Sequence, residues 1–299
     1  MRTLAVAAAL ALSAAGHWRE GTPTKIPLQY YQGIAAGRGG QLFFDGVFTG
    51  LYRTDSNLVE EARNTNVIPA AVGDRTTGEG YNHIGDITWD AGEGGRVLLP
   101  LECFVPGFPN GGNTCGHGAI GVADPETVQW RYYVKLDKAF IDKAMWAEVS
   151  PNGKLLWTSN GAVNGGHDLL AYDMSQITEA NAAPNGPALQ PAIVLPGAVP
   201  PGGITGATFY KHDLLVASQS GRTFRVWSID LNTGARTLQI DKQVLGESEG
   251  LDIVKALGGT LHWLITPQGT GGQPPTYGDF AHSGLVHFKA LQGGKGPET

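Results

Sequence analysis

Three carboxylates, Asp86, Glu148 and Asp252, sit at matching places in a pattern that recurs along the chain. Acids brought to one axis repel each other unless a cation lies between them. Calcium suits such a place, because it takes about six to eight oxygen ligands and accepts carbonyl and water oxygens among them. One expectation is therefore a Ca2+ ion in a central channel, held by some of Asp86, Glu148 and Asp252, with Glu249 and Asn82 close by. The other is that these acids cap strand amides or pair with Arg and Lys, and bind no metal.

Two histidines, His83 and His117, lie in glycine-rich surroundings near where repeats join. An unperturbed imidazole titrates close to neutral pH, so either suits a general base. His167 is expected on a surface loop. The run Gly246-Glu247-Ser248-Glu249-Gly250 matches a nucleophile elbow letter for letter. That elbow needs a strand before it, a helix after it and an α/β framework around it. No such framework precedes it, and the flanking glutamates oppose a developing oxyanion.

Cys103 and Cys115 close a Gly/Pro/Asn-rich loop. Two cysteines around a loop of that length read as a disulfide in an oxidising compartment. A metal pair with His117 is the alternative, but zinc usually needs four ligands at tighter spacing.

The elements that must carry these residues are hairpins. Trp146 to Asn160 reads as strand, Ser-Pro-Asn-Gly turn, strand. Pro presets φ, and Asn-Gly accepts positive φ. Four further copies follow the same plan, running from Gln32 to Asp45, His83 to Glu102, Ile204 to Gln219 and Glu249 to Thr266. Each is followed by a third strand-like run, and the first four copies by a fourth, expected at 66–72, 129–136, 190–195 and 236–243. The fifth copy lacks a fourth run, while an orphan run, Thr24 to Tyr30, stands at the other end. Four-stranded units closed by a strand from the opposite terminus describe a ring without free sheet edges. The fold expected is all-β: a β-propeller of five blades, a sixth irregular blade being the alternative. Trp89, Trp146, Trp157, Trp227 and Trp263 fall inside strand copies and are expected to pack between blades. The stretches 104–108 and 268–278 could form lips over the channel.

The stretch Ser150-Pro-Asn-Gly-Lys-Leu-Leu-Trp-Thr-Ser-Asn160 resembles the repeat of YVTN-type propellers. Glu249-Gly-Leu, with Gly-Thr-Leu-His-Trp downstream, resembles the strand starts of the regucalcin/gluconolactonase and strictosidine-synthase-like group. The second resemblance implies a divalent metal held by Glu, Asn and Asp at blade starts. Only Glu249 matches the Glu-Gly start, and His83 stands where Asn or Glu is expected, with Asn82 beside it. Five is also the blade count of olfactomedin-like domains and calcium-activated nucleotidases. Such motifs are shared by many unrelated propellers and speak to fold more than to activity.

Composition agrees with this plan. Gly 44 and Pro 18 supply turns, and charged residues are only 16%. A net charge of −6 without a basic cluster argues against a nucleic-acid partner. Arg2 followed by the apolar run 4–15 has the form of a secretory signal, so residues 1–16 are expected to be a signal peptide and 17–299 the propeller domain. That run is too short to span a bilayer. The expected protein is secreted, extracellular or periplasmic, and monomeric. It binds a small molecule or an extracellular ligand at the channel mouth, with a Ca2+-dependent hydrolase of lactonase or esterase type as the alternative.

Overall fold

The chain forms a five-bladed β-propeller. A computed structural model describes residues 18–46, 48–105, 112–160, 167–255, 259–267, 275–279 and 281–291. The expected signal peptide lies outside them, as does much of each expected lip.

Each blade is an antiparallel sheet whose strands run from the axis outward in chain order. Blade one holds Ile34–Ala36, Leu42–Asp45, Leu51–Thr54 and Glu60–Asn64. Blade two has a divided inner strand, His83–Ile84 and Thr88–Asp90, then Arg96–Glu102, Ala119–Ala123 and Trp130–Lys135. Blade three holds Glu148–Val149, Leu155–Ser159, Leu169–Asp173 and Ile193–Leu195. Blade four holds Gly206–Tyr210, Asp213–Ser220, Thr223–Ile229 and Arg236–Gln243. Blade five holds Glu247–Val254, Thr260–Thr266 and His282–Ala290.

The ring closes on blade five. Thr24–Pro27 pairs with its outermost strand, Thr24 opposite Leu285. A second strand that the sequence pattern did not show, Trp18–Glu20, pairs further along the same edge, Trp18 opposite Ala290. Closure therefore uses two short N-terminal strands laid end to end along one partner.

Blade one corrects the expected fourth strand. The outer strand is Glu60–Asn64, not 66–72. Val67, Ile68 and Val72 are buried in the core between blades one and two, and Ala70–Gly73 makes a single helical turn after Pro69. The outermost strand faces solvent, so its charged sequence hid it, while the apolar run that mimicked a strand is core filling.

The hairpin that defines the repeat forms as its residues require. Leu155 donates its amide to Ser150 Oγ at 2.9 Å, Gly153 donates to the Ser150 carbonyl at 2.8 Å, and Gly153 takes φ 68°. Five apolar clusters fill the five gaps between neighbouring blades. Alternation along one strand feeds two of them: Val97, Leu99 and Leu101 face blade one, while Leu98 faces blade three. The tryptophans sit in these gaps as expected, with Trp146 and Trp263 fully buried and Trp89 stacked on Phe43 across 5.7 Å. Indole N–H groups in these gaps find hydroxyls: the buried Trp146 donates to Ser159 and Trp263 to Ser248, and the half-buried Trp227 to Ser218.

Candidate functional site at the channel mouth

The inner strands crowd the axis, and glycine lets them do so. A Cβ on Gly85 would lie 2.0 Å from the Met145 carbonyl oxygen, and one on Gly250 2.6 Å from Asp86 Oδ1. Asp86 itself is fully buried and ties the blades together. Its Oδ1 accepts the Ile34 amide of blade one at 3.1 Å. Its Oδ2 accepts the amides of Ala207 in blade four at 3.0 Å and Leu251 in blade five at 3.4 Å. Burial pushes its carboxyl well above the usual range, although the three amides oppose this.

Glu148 and Asp252 lie on a different level of the channel. Glu148 accepts from Thr88 Oγ1 at 2.6 Å and from the Phe209 amide at 3.2 Å. Asp252 accepts from Thr208 Oγ1 at 2.9 Å, from its neighbour Ile253 at 2.6 Å, and from the Ala36 amide. Burial raises both carboxyls, and the charge of Asp252 adds to the rise at Glu148. Asp86, Glu148 and Asp252 thus spend their oxygens on strand amides and hydroxyls. Among the described residues no three of His, Cys, Asp and Glu are gathered as metal ligands.

The other polar groups gather where the inner strands begin and the second strands end. Every second strand carries one of these polar side chains within one residue of its end: Asp45, Glu102, Asn160, Gln219 and Thr266. Four of the five are engaged. Gln219 accepts the Ser248 amide at 2.8 Å, Asn160 accepts the Asp142 amide at 3.4 Å, and Thr266 donates to Glu249 at 3.5 Å. Glu102 lies between His83 and Lys143, with Oε1 2.8 Å from His83 Nδ1 and Oε2 3.2 Å from Lys143 Nζ.

Asp45 is the fifth, and neither of its carboxylate oxygens receives a hydrogen bond of regular geometry from the described residues. It is 0% exposed. Burial, then the charge of Asp86, push its carboxyl well above the usual range against a small opposing pull from the Gly33 and Asp45 amides. Glu249 stands near it, raised by burial and by the charges of Glu247, Asp45 and Asp86, with one oxygen accepting the Gln32 amide group at 2.7 Å. Asn82 Oδ1 is likewise buried without a partner, while its Nδ2 donates to the Phe104 carbonyl. The ring of Phe104 packs 5.3 Å from that of His83, so the described start of the first expected lip does wall this mouth.

His117 serves elsewhere. Its Nδ1 shares a 2.6 Å hydrogen bond with the buried Tyr81 hydroxyl, and burial with the Lys135 charge lowers its proton affinity. The disulfide Cys103–Cys115 is formed, with Cα atoms 5.4 Å apart. Ser248 lies inside the inner strand of blade five, fully buried, where Trp263 donates to it, and the chain continues as strand for six residues beyond it to Val254; the elbow match is one of letters alone. Of the residues at this mouth, sequence reasoning found His83, Asn82 and Glu249 and missed Asp45, Glu102 and Lys143. The signal for the first two was present, since each ends its copy of the repeat.

No family model matches the chain, and no curated protein matches it in sequence. Solved structures do. A luciferin-regenerating enzyme superposes with a TM-score of 0.51 at 12% identity, covering 91% of this chain and 96% of that one. A glutaminyl cyclase from Myxococcus xanthus gives 0.51 at 12% identity over 92% and 97%. A glucose dehydrogenase gives 0.50 at 10% identity over 91% and 100%. What this likeness shows is the propeller fold.

Proposed function

We propose that this propeller binds a small polar ligand at the mouth where its inner strands begin, and that the ligand brings positive charge or hydrogen-bond donors. The observation that carries this is Asp45, a fully buried carboxyl that receives no regular hydrogen bond from the described residues where its four counterparts are engaged. An unsatisfied buried acceptor costs about 1–3 kcal/mol, more if charged, so a partner that satisfies it is bound at a gain. Asn82 Oδ1 adds a second open acceptor at the same end of the propeller. A calcium ion is one such partner. It would rest on Asp45 and Glu249, with amide and water oxygens completing its shell. The signal-like residues 1–16 and the disulfide support a place outside the cytoplasm.

Thermal melts in chelator, in Ca2+, and in panels of amines, polyols and carboxylates test the reading. Cations, amines or polyols are expected to raise Tm in the wild type and not in Asp45→Asn. Equal responses of the two proteins would remove it. A second reading, hydrolysis of a small ester or lactone at the same mouth, is favoured by one arrangement: His83 beside the carboxylate of Glu102.

A further inference from the structure

We infer that the imidazole pair His262–His287 is a pH-sensitive latch on ring closure, through which acid frees residues 18–27 from the edge of blade five while the blades themselves stay folded. His262 and His287 stand directly opposite each other on the second and third strands of that blade. Leu264 and Leu285, two residues away on the same strands, belong to the core shared with blade one, so both imidazoles face that gap. The rings meet edge-on at 4.5 Å. Beyond His287 lies Thr24 of the closing strand, whose Oγ1 is 2.9 Å from His287 Nε2.

The inner ring has no place for a second proton. His262 is fully buried, and its Nδ1 donates to the Thr260 carbonyl at 2.8 Å, since a carbonyl can only accept. A proton added on Nε2 finds no acceptor among the described residues. Asp252, opposite His262 on the inner strand, supplies no counter-charge: Thr208 and the amides of Ile253 and Ala36 occupy its oxygens, and burial raises its carboxyl. Lys255, whose charge acts on Asp252, and Lys289 with Arg19 opposite it further out are all cations. Tyr30 and Tyr52 join the core of this gap from the side of blade one, and burial raises both hydroxyls, so they stay neutral.

The outer ring reaches water only through the closing segment. His287 is half-buried, the Gly21 amide donates to its carbonyl at 2.8 Å, and Thr24 meets its Nε2. Two positive rings in contact repel. His262 is held by paired strands on both sides, so relief comes from His287 turning outward, which displaces Gly21 and Thr24. Local openings of this kind cost less than global unfolding. Glu20 with Lys242 and Tyr277, and Lys25 with Asp279, also anchor the segment. Burial lowers both imidazoles in the closed ring. Closure is therefore fully stable above the ordinary histidine value of 6.5 and weakens as pH falls below it. Each proton taken up on opening multiplies the open population by up to about tenfold per pH unit.

Hydrogen exchange of the full-length protein, read by mass spectrometry at about pH 7.5 and about pH 5 and corrected for the chemical exchange rate at each pH, tests the latch. Amides of 18–27 and 282–290 are expected to lose protection about tenfold or more at the lower pH, while those of 155–159 and 169–173 in blade three keep theirs. His287→Gln, which retains a polar partner for Thr24, and His262→Leu should each make protection of the closing segment independent of pH. Equal loss in every blade, or an edge whose protection does not change with pH, overturns the inference in the wild type alone, even if neither variant folds. A pH-dependent loss that persists in both variants assigns the release to other groups and overturns it too.

Discussion

The Asp86 carboxylate of blade two accepts the Ala207 amide of blade four at 3.0 Å, across the propeller axis. Ile34 of blade one and Leu251 of blade five donate to the same carboxylate. One side chain therefore satisfies amides on three other blades, where no regular sheet hydrogen bond could reach. Asp86→Ala would leave three buried donors short of an acceptor, each worth about 1–3 kcal/mol. We expect a loss of about 3 kcal/mol or more in urea unfolding. Asp86→Asn keeps one acceptor and should lose less, but still clearly. An unchanged midpoint in both variants would show that the axis does not depend on this carboxylate.

The repeat was legible because a turn such as Ser-Pro-Asn-Gly and the apolar strands beside it are local features. Depth along the axis was not. Equating Asp86 with Glu148 and Asp252 puts three acids on one level. In the structure Thr88, not Asp86, meets Glu148. The inner strand of blade two is broken between Ile84 and Thr88, its pairing with Arg96–Glu102 shifts by one residue there, and Asp86 bridges Trp146, two residues before Glu148. An offset of two keeps a side chain on the same face but moves it about 7 Å along the channel. The alternation therefore stays intact while the acids separate, and nothing in the one-dimensional pattern records it. Lys143 was invisible for a related reason. It lies in the connection from blade two to blade three, outside any strand copy, and is brought to Glu102 where that connection folds back on blade two, Ala144 donating to the Leu101 carbonyl.

Raised carboxyls set one part of the pH dependence. Asp45, Asp86, Glu148, Glu249 and Asp252 all hold their protons more tightly folded than unfolded. Their contribution is fully present below the ordinary carboxylate range and is lost as pH rises through the raised folded values. Asp45→Asn removes one such group. Its stability relative to the wild type should increase steadily with pH above about 4 in urea titrations. A difference that does not vary with pH would mean Asp45 is not raised.

His262 acts with the opposite sign. It is fully buried, Nδ1 lies 2.8 Å from the Thr260 carbonyl, Nε2 has no hydrogen-bond partner among the described residues, and the His287 ring stands edge-on at 4.5 Å. Burial first, then His287, lower it to about 4. The unfolded chain takes up this proton near pH 6.5, so the stability is complete above that pH and is lost as pH falls towards 4. His262→Leu should therefore flatten the fall in stability between pH 6.5 and 4, whatever it does to stability at pH 8. A fall of wild-type steepness in the variant would assign the acid sensitivity to other groups.

The closing strands give the last prediction. His282–Ala290 carries Trp18–Glu20 at one end and Thr24–Pro27 at the other. Ile26 is 1% exposed and joins the core between blades five and one, and Thr24 Oγ1 lies 2.9 Å from His287 Nε2. Removing residues 1–27 would strip both strands from one edge and uncover a nine-residue strand, the kind of exposed edge that pairs with other chains. Two consequences should separate in experiment. Ile26→Asp, which keeps the backbone pairing but buries a charge, should lower stability by about 2–4 kcal/mol without self-association. The truncation should both lower Tm and shift sedimentation towards dimers or larger species as concentration rises. A truncated protein that stays monomeric at the wild-type Tm would mean that the ring closes without these strands.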